Sequence, residues 1–129
     1  LHDFGKIIEL SSEPGFEYSD TGKFVGHIVL AVLFVDRVIK EKLPDFPSHL
    51  KDQLFHLILS HQGKLEYASP VEPKTIEAII LYQADELSAK TNAYKQAIIK
   101  GRNEGNKWTR PLPLANNNSL YIPEDFEIH

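Results

Sequence analysis

The chain has 129 residues and a formal net charge of −4, with 42% apolar and 25% charged residues. This is the length of one ordinary globular domain with a proper core, and the acid excess excludes a polyanion binder that works by bulk charge. It holds no cysteine, which excludes disulfides, thiolate metal sites and a cysteine nucleophile. No apolar run of membrane-spanning length and no signal peptide is visible, so no membrane partner is expected.

His2 and Asp3 open the chain as an imidazole beside a carboxylate, with Gly5 and Lys6 directly after. Both are good ligands for a divalent ion of the Mn, Fe or Zn type, and Lys6 is close enough to meet an anion bound there. Residues 7–10 fit a helix end or a short strand. Residues 11–22 carry Ser, Pro, Gly, Asp and Thr and predict a loop, which beside a candidate site is often a lid.

The strongest helix is expected over 23–43. Phe24, Ile28, Ala31, Val35, Val38 and Ile39 mark one face, widened by Leu30, Leu33 and Phe34. His27 lies near its start, after Gly26. A turn with Pro44 and Pro47 follows, with Ser48 as N-cap of a helix over 49–61 whose stripe is Leu50, Leu54, Leu57 and Ile58. Gly63 is the expected terminator. His56 and His61 are about 140° apart around that helix and do not share a face. Residues 64–74, with Pro70 and Pro73, predict a loop.

Thr75 starts a long helix expected to reach residue 100. Ala78, Leu81, Asp85, Ser88, Ala89 and Asn92 fall on one stripe, which places the Asp85 carboxylate on a small or apolar face. A carboxylate buried there must be paired, protonated or metal-bound. Residues 101–129 form a polar tail in which one or two short strands are expected to pack back on the helices. The candidate ligands are therefore His2, Asp3, His27, His61 and Asp85. Three histidines and two carboxylates at helix ends or on an inward stripe suit one or two divalent ions. His49 and His129 are expected at the surface. His56 suits either a core role or one next to the site.

The order His2-Asp3-x-Gly5-Lys6, Gly26-His27, Leu59-Ser60-His61-x-Gly63-Lys64 and Asp85-x-Leu87-x-Ala89-Lys90 resembles the HD-domain superfamily of metal-dependent phosphohydrolases. Within it the chain is most similar to the YhaM-type 3′-to-5′ exoribonucleases, and Ser69-Pro70, Trp108 and Leu120-Tyr121 extend the resemblance along nearly the whole chain. The resemblance implies an all-α, helical HD fold with a short irregular C-terminal tail: one domain over 1–129, with a helical core over 1–100 and the tail after it. It implies one or two divalent ions, Mn²⁺ first, and hydrolysis of RNA or short single-stranded nucleic acid from the 3′ end. Nucleotide or cyclic-nucleotide hydrolysis is the alternative, as is a catalytically weakened nucleic-acid-binding or regulatory module. His2 and Asp3 match the name-giving pair, with Asp3 bridging two ions and Asp85 completing the first site. His27 and His61 match the ligands of a second ion, and Lys6 the catalytic lysine beside the phosphate. Two features depart from the pattern. The family's first histidine lies upstream of the His-Asp pair, so the chain is expected to be the later part of a longer protein, with an OB-fold nucleic-acid-binding domain upstream and a cytoplasmic location. Gln62 stands where the family often has a second consecutive histidine, and cannot replace an imidazole as ligand or acid.

Overall fold

Gly26 divides the first long apolar run. It adopts φ 77° and ψ 151°, a conformation that side chains disfavour, and the helix expected over 23–43 becomes two. The computed structural model describes Asp3, Lys6 and residues 20–125. Among these, α1 covers Asp20–Val25, α2 His27–Lys42, α3 Ser48–Ser60 and α4 Ile76–Asn103. The described part of the expected loop, residues 20–22, is thus helical, and the rest of that loop and residues 7–10 lie outside the described residues. The fold is all-α, as expected, and among the described residues no helix is long and apolar enough to cross a membrane.

The chain forms two compact units, Leu1–Gln83 and Ala84–His129. In the first, α2 and α3 make a helical hairpin around Ile28, Ala31 and Ile58, flanked by Val32, Val35, Leu54 and Leu59. Ala31 is wholly buried with only a methyl group at that position, so the two helices can approach closely. Burying Ile58, which is 2% exposed, contributes about 2–3 kcal/mol. The break at Gly26 takes Phe24 out of line with Ile28. Phe24 is 88% exposed, and Leu33 and Leu50 are exposed too, contrary to their expected places on the buried stripes.

The helix ends follow local chemistry. The Pro47 carbonyl accepts from Leu50 and Lys51 N–H, so α3 starts at Ser48, one residue before the expected start. At its far end the Gly63 N–H donates to the Ser60 carbonyl (2.8 Å), and Gly63 takes φ 81°, the left-handed terminator its position predicts. The following loop contains a 3-10 turn, Leu65–Tyr67. Its buried Ser69 hydroxyl lies 3.0 Å from the Leu59 carbonyl and 2.7 Å from that of Val71, which ties the loop to α3. Thr75 Oγ1 accepts from Ala78 N–H (3.1 Å) and caps α4 where expected. Ala78 is buried, but Ser88, Ala89 and Asn92 are exposed, so the expected α4 stripe is covered only at its start.

In the second unit the tail is pinned by two isolated antiparallel bridges, Trp108↔Tyr121 and Leu112↔Asn118. No strand forms there among the described residues. Pro111 and Pro113 carry no N–H for a ladder, and Asn116 and Asn117 turn the chain with φ 53° and 59°. The Tyr94 hydroxyl donates to the Leu114 carbonyl (2.7 Å), and buried Ile122 sits over Gly101, so this tail does pack back on its helix.

Candidate metal centre

The α2–α3 hairpin has a five-residue turn, and Ile28 near the start of one helix packs with Ile58 near the end of the other. His27, the first residue of α2, and His61, the C-cap of α3, therefore meet at one end of the hairpin, with ring centroids 6.2 Å apart. His61 is 1% exposed, and its Nδ1–H donates to the Ile58 carbonyl at 2.6 Å. In the neutral ring this bond puts the proton on Nδ1 and the lone pair on Nε2, the nitrogen that can act as a ligand, and it fixes the ring's direction. That Nε2 lies 3.5 Å from Asp3 Oδ1. Lys6 N–H donates to the Asp3 carbonyl (3.0 Å), and its Nζ reaches the other carboxylate oxygen, Oδ2, also at 3.0 Å. One turn of chain thus aims the carboxylate and the ammonium at the same place.

Asp3, His27 and His61 each offer one ligand atom, and these atoms lie within 4.8 Å of one another. Ligand-to-metal distances of about 2.0–2.2 Å allow two donors of one ion to stand up to about 4.3 Å apart. The group fits a divalent ion with a contraction of about half an ångström. Two imidazoles and a carboxylate are a borderline-to-hard donor set, suited to Mn, Fe or Zn rather than to a thiolate-seeking ion.

Of the predicted site residues, the structure brings together Asp3, His27, His61 and Lys6. His2 lies outside the described residues. Asp85 is half-buried on α4 in the second unit. His56 stands apart from the cluster: its Nε2 accepts the Lys74 N–H at 2.9 Å, and the ring holds the 64–74 loop to α3. His49 is exposed, as expected, and His129 lies outside the described residues.

Gln62 is the residue whose contribution the sequence did not disclose. Its amide Nε2 donates to His27 Nε2 at 3.5 Å, the long edge of hydrogen bonding. It stands beside the second imidazole without being a ligand itself. Gln62 and His27 also line a cleft of about 300 Å³ whose other walls are Val25, Gly26, Ile28, Val29, Ala68 and Pro70. The centre therefore opens on one side into a mostly apolar recess with a carboxamide at its edge.

A family model described as HD domain matches residues 1–90. The chain belongs to the HD-domain family. The match takes in every residue of the cluster, together with His2, Lys6 and Asp85. No solved structure matches the chain. Membership makes this HD domain one of a superfamily of metal-dependent phosphohydrolases that bind divalent ions, in agreement with the donor set that the hairpin assembles.

Proposed function

We propose that this HD domain hydrolyses phosphodiester bonds of RNA or short single-stranded nucleic acid from the 3′ end, with Mn²⁺ as its ion. The observation that carries the proposal is the convergence of Asp3, His27 and His61, with His61 held in the ligating tautomer by the Ile58 carbonyl. The resemblance to YhaM-type exoribonucleases, on the motifs around those residues, supports the choice of polymer.

Asp3, His27 and His61 would hold one ion. The family resemblance assigns His2 and Asp85 to a further ion. A divalent ion in such a site lowers the pKa of water and draws off charge that builds on phosphate oxygens. The chain's own groups do the positioning. The Ile58 carbonyl orients the His61 imidazole, and the Gln62 amide stands beside that of His27. Lys6, a donor without a lone pair when protonated, pairs with Asp3 and is placed to hold a phosphate oxygen. The resemblance also supports, as part of this proposal, an OB-fold partner domain for further grip on the strand and a cytoplasmic location.

A second reading, hydrolysis of mononucleotides or cyclic nucleotides, is favoured by the 300 Å³ cleft beside His27, which lies at the small end of small-molecule sites. A panel of RNA oligomers, mononucleotides and cyclic dinucleotides with Mn²⁺ decides between them. Stepwise shortening of RNA supports the proposal. Turnover of nucleotides alone supports the second reading, and turnover of none refutes both and leaves a binding module.

A further inference from the structure

The second unit carries a surface that the metal centre does not use. Over the whole second unit six lysines and arginines balance six acids, but within residues 90–123 the same six cations face a single acid, Glu104, with exposed Glu124 and Asp125 following at the end of that stretch. The cations are not spread evenly. Lys100 on α4 and Arg110 in the tail line one shallow recess of about 130 Å³ together with Glu104 and Thr109, so positive groups of helix and tail converge. Arg110 is 79% exposed, and the Glu104 carboxylate lies 3.8 Å away.

The same segment presents two large aromatic rings to solvent on a fixed frame. Thr109 N–H donates to the Leu120 carbonyl (2.9 Å), Leu120 N–H to Thr109 Oγ1 (2.9 Å), and Ile122 N–H to the Lys107 carbonyl (3.0 Å). Thr109 and Ile122 point inward, each 5% exposed. By the two-residue alternation of extended chain, Trp108 and Arg110 flank Thr109 on the outer side, and Tyr121 stands opposite Trp108. Trp108 is 57% exposed and Tyr121 53%, with their rings 5.4 Å apart edge to face. Tryptophan is usually well covered in a folded domain. Here the hydrogen bonds order the backbone beneath the rings while leaving the rings themselves open.

We propose that Trp108 and Tyr121, with Lys107, Arg110 and Lys100 around them, form a docking surface for single-stranded nucleic acid. Unpaired bases stack on exposed aromatic rings, and the flanking cations meet the phosphates; duplexes hide their base faces and acidic proteins have none to offer. The proposal rests on the function proposed above only for naming RNA as the polymer.

Trp108 is the chain's single tryptophan, so its emission reports this surface directly. The full chain in EDTA, where no hydrolysis proceeds, is titrated with a uridine-rich RNA oligomer of about a dozen nucleotides. Saturable quenching is expected. Anisotropy of the same oligomer carrying a fluorophore should show binding weakened about tenfold by Trp108→Ala or Tyr121→Ala and largely kept by Trp108→Phe. The Lys107→Ala/Arg110→Ala pair should flatten the slope of log affinity against log salt by about 1.4. Hydrolysis of bis-p-nitrophenyl phosphate with Mn²⁺ should be unchanged in all of these. Absence of quenching, or equal RNA binding by folded Trp108→Ala, overturns the surface even if the small diester is cleaved. RNA binding with these sensitivities but no cleavage of RNA or diester leaves the surface standing and overturns the hydrolase.

Discussion

Gly63 offers the sharpest test of how the metal centre is built. It ends α3 two residues after His61, with φ 81°, and an added Cβ would stand 2.1 Å from Tyr82 Cε2, 2.2 Å from Cδ2 and 2.5 Å from Cζ. Gly63→Ala therefore meets two costs. A left-handed backbone costs an L residue about 1–2 kcal/mol. Carbon atoms pack at about 3.5–4.0 Å, so the ring or the chain must retreat by about 1.5 Å, and overpacking of that kind costs about 1–3 kcal/mol. The total is about 2–5 kcal/mol, and for a domain of this size Tm should fall by about 10 °C or more. Gly105→Ala is the internal control, because Gly105 has φ 75° but open space around its Cβ position. It should lose only the backbone share. Thermal melts of both variants by circular dichroism, without metal, measure the difference. If Gly63→Ala melts no lower than Gly105→Ala, then Tyr82 does not pack on Gly63 and the end of α3 is not held as described.

Four further outcomes are expected. Asp3→Ala should abolish metal binding, since its carboxylate stands between His61 and Lys6; metal analysis showing wild-type stoichiometry would place the site elsewhere. Lys6→Ala should leave metal content unchanged and lower turnover, and loss of metal with the fold intact would contradict its role. Gln62→Ala should weaken Mn²⁺ binding by less than about tenfold by calorimetry, below the cost of losing a group that orients a ligand, because its long contact meets His27 at a lone pair and not at a ring N–H. Asp36 is held below its ordinary pKa of 3.8 by Lys40, at 2.6 Å, and then by Lys51 of α3, at 2.5 Å. The unfolded chain thus binds the extra proton first as pH falls, and the stabilisation is complete above 3.8 and lost as pH drops through the lower folded value. Asp36→Asn should lower Tm at neutral pH by a small amount, as solvent-screened pairs do, and the gap to wild type should close in acid melts.

The helices were legible where a local cap and a long period agreed. Thr75 caps α4 and Gly63 ends α3 at the positions that their side-chain chemistry predicts. Glycine at 26 carried the same kind of signal, but the apolar run on both sides of it fits one continuous helix, and periodicity cannot register a change of direction at one φ. Phe24 was misplaced for that reason. Asp85 was singled out as a carboxylate on an apolar stripe, yet most of that stripe after Ala78 is open to solvent; its proposed place as a ligand rests on the family pattern. The cluster of cations and aromatic rings between residues 90 and 123 was hidden by the acids elsewhere in the chain, because a net charge averages over surfaces that act separately.

The convergence of His27 and His61 has a simpler origin than their separation of 34 positions suggests. In two packed helices joined by a short turn, residues equally far from the turn stand side by side. The 43–47 turn makes His27 the counterpart of Gly63, Ile28 that of Gln62 and Val29 that of His61. The observed contacts fall within a residue or two of that register: the Gln62 amide reaches His27 at 3.5 Å, and the two imidazole centroids lie 6.2 Å apart. Gly26 and Gly63 then stop both helices just beyond the histidines, so neither imidazole is covered by a further turn of its own helix on that side. The register carries both rings to the open end of the hairpin, where the hydrogen bond to Ile58 fixes His61 and both rings stand beside the Asp3 carboxylate. A ligand pair built this way is set by turn length and two glycines, and its precision comes from backbone hydrogen bonding near the site rather than from the large core behind it.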